Sequence, residues 1–183
     1  LQNKTGWDIG YVSTPIKEYI DQLTEKDIKV LIPGAGNAYE VEYLFLNGFT
    51  NVYLLDFSEQ SILNFLERCP DFPPDQIILQ DFFDHHGAYD LILEQTFFSA
   101  IPPQKRHLYV ETMSGLLIPN GKLVGLLFGI EFPFEGPPYG GQPEEYKRLF
   151  STHFQIQTLE VARNSIKPRT GSELFFIMRK KRN

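Results

Sequence analysis

Short, nearly continuous apolar runs alternate along this chain with longer stretches in which apolar residues recur every three or four positions. The runs predict strands at about 28–33, 51–56, 76–80, 89–94 and 121–129. The first, Ile28 to Ile32, is β-branched and leucine-rich with little polar alternation, as a strand covered on both faces of a parallel sheet requires. Helices are predicted between the runs. After Asn37, a capping residue, Val41, Leu44 and Phe45 keep helical spacing until Gly48 stops it. Ser58, with Glu59 and Ser61, opens a second helix whose Ile62, Leu63, Phe65 and Leu66 are expected to face the sheet. Pro102-Pro103 opens a third, with Leu108, Met113, Leu116 and Leu117 as its buried stripe and Pro119-Asn120-Gly121 as the turn that ends it. This alternation predicts βαβ units and a mainly parallel sheet in a Rossmann-like, three-layer α/β/α fold.

The final third differs. Residues 132–142 carry three prolines and three glycines among aromatics, too irregular for a helix and too aromatic for a passive linker. A helix is expected near 143–152, followed by strands at about 154–162 and 172–179 that pair antiparallel. Five parallel strands and this pair make a seven-stranded sheet with an antiparallel last strand, an order associated with methyl transfer from S-adenosylmethionine.

Composition narrows the function. A chain of 183 residues with 42% hydrophobic content predicts one domain with a continuous core. A formal charge of -6 argues against a nucleic-acid partner, because phosphate binding relies on clustered Lys and Arg. The one basic run, Arg179-Lys180-Lys181-Arg182, reads as a solvated tail. No stretch reaches the roughly 18 apolar residues of a membrane span, and nothing at the start reads as a signal peptide. The single cysteine, Cys69, precludes an internal disulfide and fits a reducing, cytoplasmic setting. His85-His86 reads as a solvated turn, and His107 and His153 as surface positions, so no metal is expected.

The chemistry starts at Gly34-Ala35-Gly36, which follows the first strand directly. Two glycines there let the backbone turn sharply and approach a ligand. Asp56 closes the next apolar run, where an acid can accept from both ribose hydroxyls of an adenosine. The alternative is a solvated or capping carboxylate ahead of Ser58. Tyr39 stands where the dinucleotide fingerprint requires its third glycine, which disfavours an NAD-dependent oxidoreductase. Hydrolase and phosphate-loop motifs are absent.

Val30-Leu-Ile-Pro-Gly-Ala-Gly36, Leu-Leu-Asp56-Phe57-Ser58, Gln80-Asp81-Phe82-Phe83, Tyr89-Asp-Leu-Ile-Leu-Glu94-Gln-Thr-Phe-Phe98 and Gly136-Pro-Pro-Tyr139 occur in the order of one known family. The chain resembles the thiopurine S-methyltransferase family, nearest its plant-type thiol and halide methyltransferase branch. Gly6-Trp7-Asp8-Ile-Gly10, Thr14-Pro15 and Ile166-Lys-Pro-Arg169 extend the resemblance over nearly the whole chain. Ala35 and Ala38 depart from its usual Cys and Gly.

The resemblance implies a class I methyltransferase fold with S-adenosylmethionine as cofactor and a small acceptor, such as a thiol, thiopurine or halide. It implies one domain over 1–183, with an N-terminal lid and helix at 1–27, a cofactor-binding core at 28–130, and an acceptor loop, helix and strand pair at 131–183. Trp7, Gly34, Gly36, Asp56, Phe57, Asp81, Phe82, Glu94 and Gln95 are its cofactor residues. Asp81 would accept from the adenine amino group, Phe82 would wall the ring, and Trp7 would close as a lid. Phe97, Phe98 and Tyr139 are expected at the acceptor, although Phe82, Phe97 and Phe98 are also natural core residues. Asp8 and Glu94 are the candidate bases should a neutral thiol bind; a thiolate or halide needs none. A degenerate relative that binds the cofactor without turnover is the alternative.

Overall fold

A computed structural model describes residues 9–182; Trp7 and Asp8 lie outside them. One sheet of seven strands organises the chain, in the order β3-β2-β1-β4-β5-β7-β6. Strands β1 (Val30–Pro33), β2 (Val52–Asp56), β3 (Ile77–Leu79), β4 (Tyr89–Gln95) and β5 (Leu117–Phe128) run parallel. Strand β7 (Glu173–Lys180) inserts antiparallel between β5 and β6 (Phe154–Val161), as the terminal apolar runs predict.

The unbroken apolar character of the central strands follows from burial on both faces. Val30 and Ile32 of β1 pack with Leu91, Leu93, Val124 and Leu126 against helices α1 (Thr14–Asp21), α2 (Tyr39–Leu46) and α3 (Glu59–Arg68). Leu31 points the other way, with Ile92, Leu123 and Leu127, toward α4 (Arg106–Leu116) and α5 (Pro143–Phe150). Successive side chains alternate across the pleat, so each strand feeds both cores. Gly125 pairs with Glu94 across β4 and β5, and a Cβ there would lie 2.2 Å from the Glu94 carbonyl oxygen, which the backbone cannot relieve.

Several local expectations are corrected. Asn37 does not cap α2; Ala38 precedes the helix in the left-handed region at φ 56, with no side-chain cap. Ser58 does cap α3, accepting the Ser61 N–H at 3.2 Å. Leu63 and Leu108 are exposed, because the inward stripes run through Ile62 and Phe65 on α3 and through Tyr109, Val110 and Met113 on α4. The turn expected at 119–121 lies within β5, where residues 118–121 bulge and Asn120 takes φ 66. Residues 129–142 contain no helix or strand.

Candidate active site

The carboxyl ends of β1, β2 and β4 converge at one edge of the sheet, where ligands bind in doubly wound folds. Beyond β1 the chain turns through Gly34 and Gly36, at φ 58 and φ 54, a region that glycine enters without strain. Asp56, at the end of β2, fastens this turn. Its Oδ2 accepts the Gly36 N–H at 2.9 Å and its Oδ1 accepts the Ser58 N–H at 2.8 Å. One carboxylate thus joins the turn to the start of α3.

A cavity of about 340 Å³ opens beside the turn. Residues 34–37, Tyr39 and Glu40 form one wall, Gln95, Thr96 and Phe97 a second, and Pro137 and Pro138 of the 129–142 loop a third. Ile9, at the beginning of the described chain, also lines it. The Phe97 ring packs directly on Gly34, since a Cβ there would sit 2.1 Å from Phe97 Cδ2. Thr96, a β-branched residue at φ 62, holds a strained backbone at the cavity wall.

The expected site residues divide. Gly34, Gly36, Gln95 and Phe97 line the cavity directly. Asp56 lies behind the turn, with Phe57 beside it and 76% exposed. Asp81 is exposed and accepts the Phe83 N–H at 2.8 Å, opening a short 3-10 turn. Phe82 is buried and meets Phe97 edge to face, with ring centroids 5.2 Å apart. Phe98, expected beside Phe97, faces the core among Tyr109, Tyr146 and Phe150, because neighbouring residues of the 3-10 turn 97–100 point apart. Tyr139 does not line the cavity either. Its N–H donates to Ser99 O at 2.7 Å, which seats the loop, and the adjacent prolines reach the cavity.

Glu94 is fully buried. Its Oε1 accepts the Phe98 N–H at 2.6 Å, while Oε2 has no partner among the described residues. Burial pushes its carboxyl up to about 8, against the hydrogen bonds from Phe98 and Phe97, with Glu40 adding to the rise. Glu40 is raised by burial as well.

Two charged residues at the site are absent from the sequence reading. Glu40 occupies the inward face of α2, one turn before Leu44; an acid in an apolar phase was the available signal. Arg106 of α4 is 3% exposed. It donates to Glu145 at 2.9 Å and to the Gly140 and Tyr139 carbonyls at 2.7 and 3.4 Å, with its guanidinium over the Phe98 ring. It holds the 129–142 loop to the body, a long-range contact with no local signature.

The family model for thiopurine S-methyltransferase (TPMT) matches residues 1–181. The chain belongs to this family. It is 29% identical over 175 residues to a probable thiol methyltransferase 2 of Arabidopsis thaliana, covering 92% of this chain and 77% of that protein. It is 28% identical, with the same coverage, to thiocyanate methyltransferase 1 of Brassica oleracea. Among solved structures, the fold is similar to 1,6-didemethyltoxoflavin-N1-methyltransferase of Burkholderia thailandensis, with a TM-score of 0.71 at 18% identity over 92% of this chain and 78% of that one. As a TPMT-family member the protein is an S-adenosylmethionine-dependent S-methyltransferase, and neither the dehydrogenase nor the degenerate alternative finds support.

The residues present fit that cofactor. Gln95 lines the cavity, and its buried Nε2 has no partner among the described residues; Glu40 lines it too, a buried carboxylate unpaired with any described lysine or arginine. A zwitterionic methionine group needs both. Positive-φ glycines beside them allow the close backbone approach that a Cβ would block.

Proposed function

We propose that this TPMT-family protein methylates a small, soft sulfur nucleophile, a thiolate or a thiocyanate-like anion, by in-line displacement. The observation that carries this reading is the cavity's acceptor side: Phe97, Pro137 and Pro138 form an apolar wall, and no His, Lys or Arg lines the cavity among the described residues. A thiolate or thiocyanate-like anion already carries the lone pair it attacks with and needs no base there. Relatives with the names thiol, thiocyanate and thiopurine methyltransferase support sulfur as the atom attacked.

When bound, S-adenosylmethionine supplies a methyl on a sulfonium that is already strongly electrophilic. The chain's task is to align and to exclude water. In this reading the Gly34–Gly36 turn and the α2 N-terminus hold the methionine part. Asp56 keeps lone pairs for the ribose hydroxyls, with Phe57 alongside, and Asp81 with Phe82 addresses the adenine. Trp7 and Asp8 belong to the lid, next to cavity-lining Ile9. Tyr139 seats the acceptor loop, and Phe98 supports the wall from behind. For an acceptor that arrives as a neutral thiol, Glu94 at the end of β4 can take the proton only when ionised, that is, as pH rises through about 8.

A cytoplasmic protein acting on a small molecule completes the reading, supported by the net charge of -6 and the lone, buried Cys69. No described helix is long and apolar enough to cross a membrane. The test is formation of S-adenosylhomocysteine with a panel of thiols, thiocyanate, iodide and thiopurines. Turnover with sulfur acceptors is expected; turnover with iodide alone, or with none of them despite tight cofactor binding, overturns it.

A further inference from the structure

A buried carboxylate without a counter-ion is unfavourable unless a cation arrives to pair with it. Glu40 is 5% exposed and lines the cavity, yet among the described residues its side chain accepts only from its own N–H and, at 3.4 Å, from the Ser13 N–H. No described lysine or arginine pairs with it. Two buried groups with unsatisfied atoms lie nearby. Gln95 lines the same cavity and its buried Nε2 has no partner among the described residues, and fully buried Glu94, close enough to feel Glu40's charge, has an Oε2 without a described partner.

These groups differ in place and in sign. Glu40 stands on the glycine-turn side, in the first turn of α2, and Glu94 and Gln95 stand at the end of β4. An α-amino-acid group brings one cation and one anion. The cavity offers on one wall a carboxylate without a described counter-ion and on the other Gln95, whose donor has no described partner, beside the backbone of the glycine turn.

We propose that Glu40 binds the α-ammonium of the cofactor's methionine moiety, with Gln95 Nε2 donating to its carboxylate. This rests on the methyltransferase reading of the cavity and adds a specific recognition residue to it. Glu40 makes the site select a free amino acid terminus, and the sulfonium is left to the β4 side, where Glu94 lies.

The test is calorimetric binding to the full chain of S-adenosylhomocysteine, which has no sulfonium, and of its deaminated analogue, in which the amino group is replaced by hydrogen. For the wild type the deaminated analogue is expected to bind about 10- to 100-fold more weakly, as for loss of a charge-assisted hydrogen bond. Glu40→Gln, which keeps an acceptor for the Ser13 N–H, is expected to weaken S-adenosylhomocysteine by a similar factor and the deaminated analogue by no more than about twofold. Equal weakening of both ligands by Glu40→Gln assigns a merely structural role and overturns the proposal. So does wild-type protein that binds the two ligands alike, a result independent of whether the variant folds. Failure of the wild type to bind S-adenosylhomocysteine at all overturns the methyltransferase reading beneath it, which separates the two failures.

Discussion

The two walls of the cavity are built by different means. The glycine-turn wall is local: strand β1, two positive-φ glycines, α2, and one carboxylate from the neighbouring strand that accepts two backbone N–H groups. The acceptor wall is assembled from distant parts. Phe97 leaves β4, Pro137 and Pro138 come from a loop without regular structure, and Arg106 of α4 ties that loop down through Glu145 and two carbonyls. A wall made by backbone geometry tolerates little change, whereas a wall hung on one guanidinium can be shifted without touching the cofactor side.

That contrast can be broken at several points. The largest effect is expected at Phe98, the aromatic that faces the core: Phe98→Ala should cost about 3–5 kcal/mol by chemical denaturation, while Phe97→Ala, at the cavity, should cost clearly less and raise the acceptor KM instead. Equal stability losses would mean that the division between cavity and core is wrong. Next comes Gly34→Ala. Its Cβ must displace the Phe97 ring at a left-handed φ, so binding of S-adenosylhomocysteine should fall about 100-fold, with partial recovery when Phe97→Ala is added. An additive double variant would separate the turn from the ring.

Arg106→Met keeps bulk but releases Glu145 and the loop carbonyls. We expect the acceptor KM to rise about tenfold while S-adenosylhomocysteine affinity changes no more than about twofold, the signature of a positioning residue on one wall only. The smallest effect is in pH dependence. Glu94 is held protonated up to about 8 by burial, against an ordinary value of 4.5. The folded state therefore keeps a proton that the unfolded chain has lost, so this contribution is full below about pH 4.5 and is lost as pH rises through 8. Glu40 acts in the same direction. Melting temperatures recorded from pH 5 to 8 should decline, and Glu94→Gln should flatten part of that slope; an unchanged slope assigns it to other groups.

The local wall was largely legible in advance. Gly34, Gly36 and Asp56 announce themselves because strand-end glycines and a strand-end acid leave marks at fixed spacing, and the two-sided apolar runs specify a covered parallel sheet. What misled was phase. Phe97 and Phe98 look equivalent in sequence, yet a 3-10 turn points one into the cavity and one into the core. Leu63 and Leu108 fit a helical stripe loosely but fall just outside it. Glu40 left a visible mark, an acid on an inward face, whose meaning depends on the cavity beside it.

The sequence by itself determined the alternation of strands and helices, the antiparallel ending, and the glycine turn with its acid, since each is written in neighbouring residues whose backbone preferences act locally; the order of its motifs pointed to the family. Only the tertiary structure decided which aromatics wall the cavity, which buried carboxylates stand without counter-ions, and that Arg106 holds the acceptor loop. Those outcomes depend on contacts between residues far apart in the chain, and burial, which sets both charge state and exposure, exists only once the chain has folded.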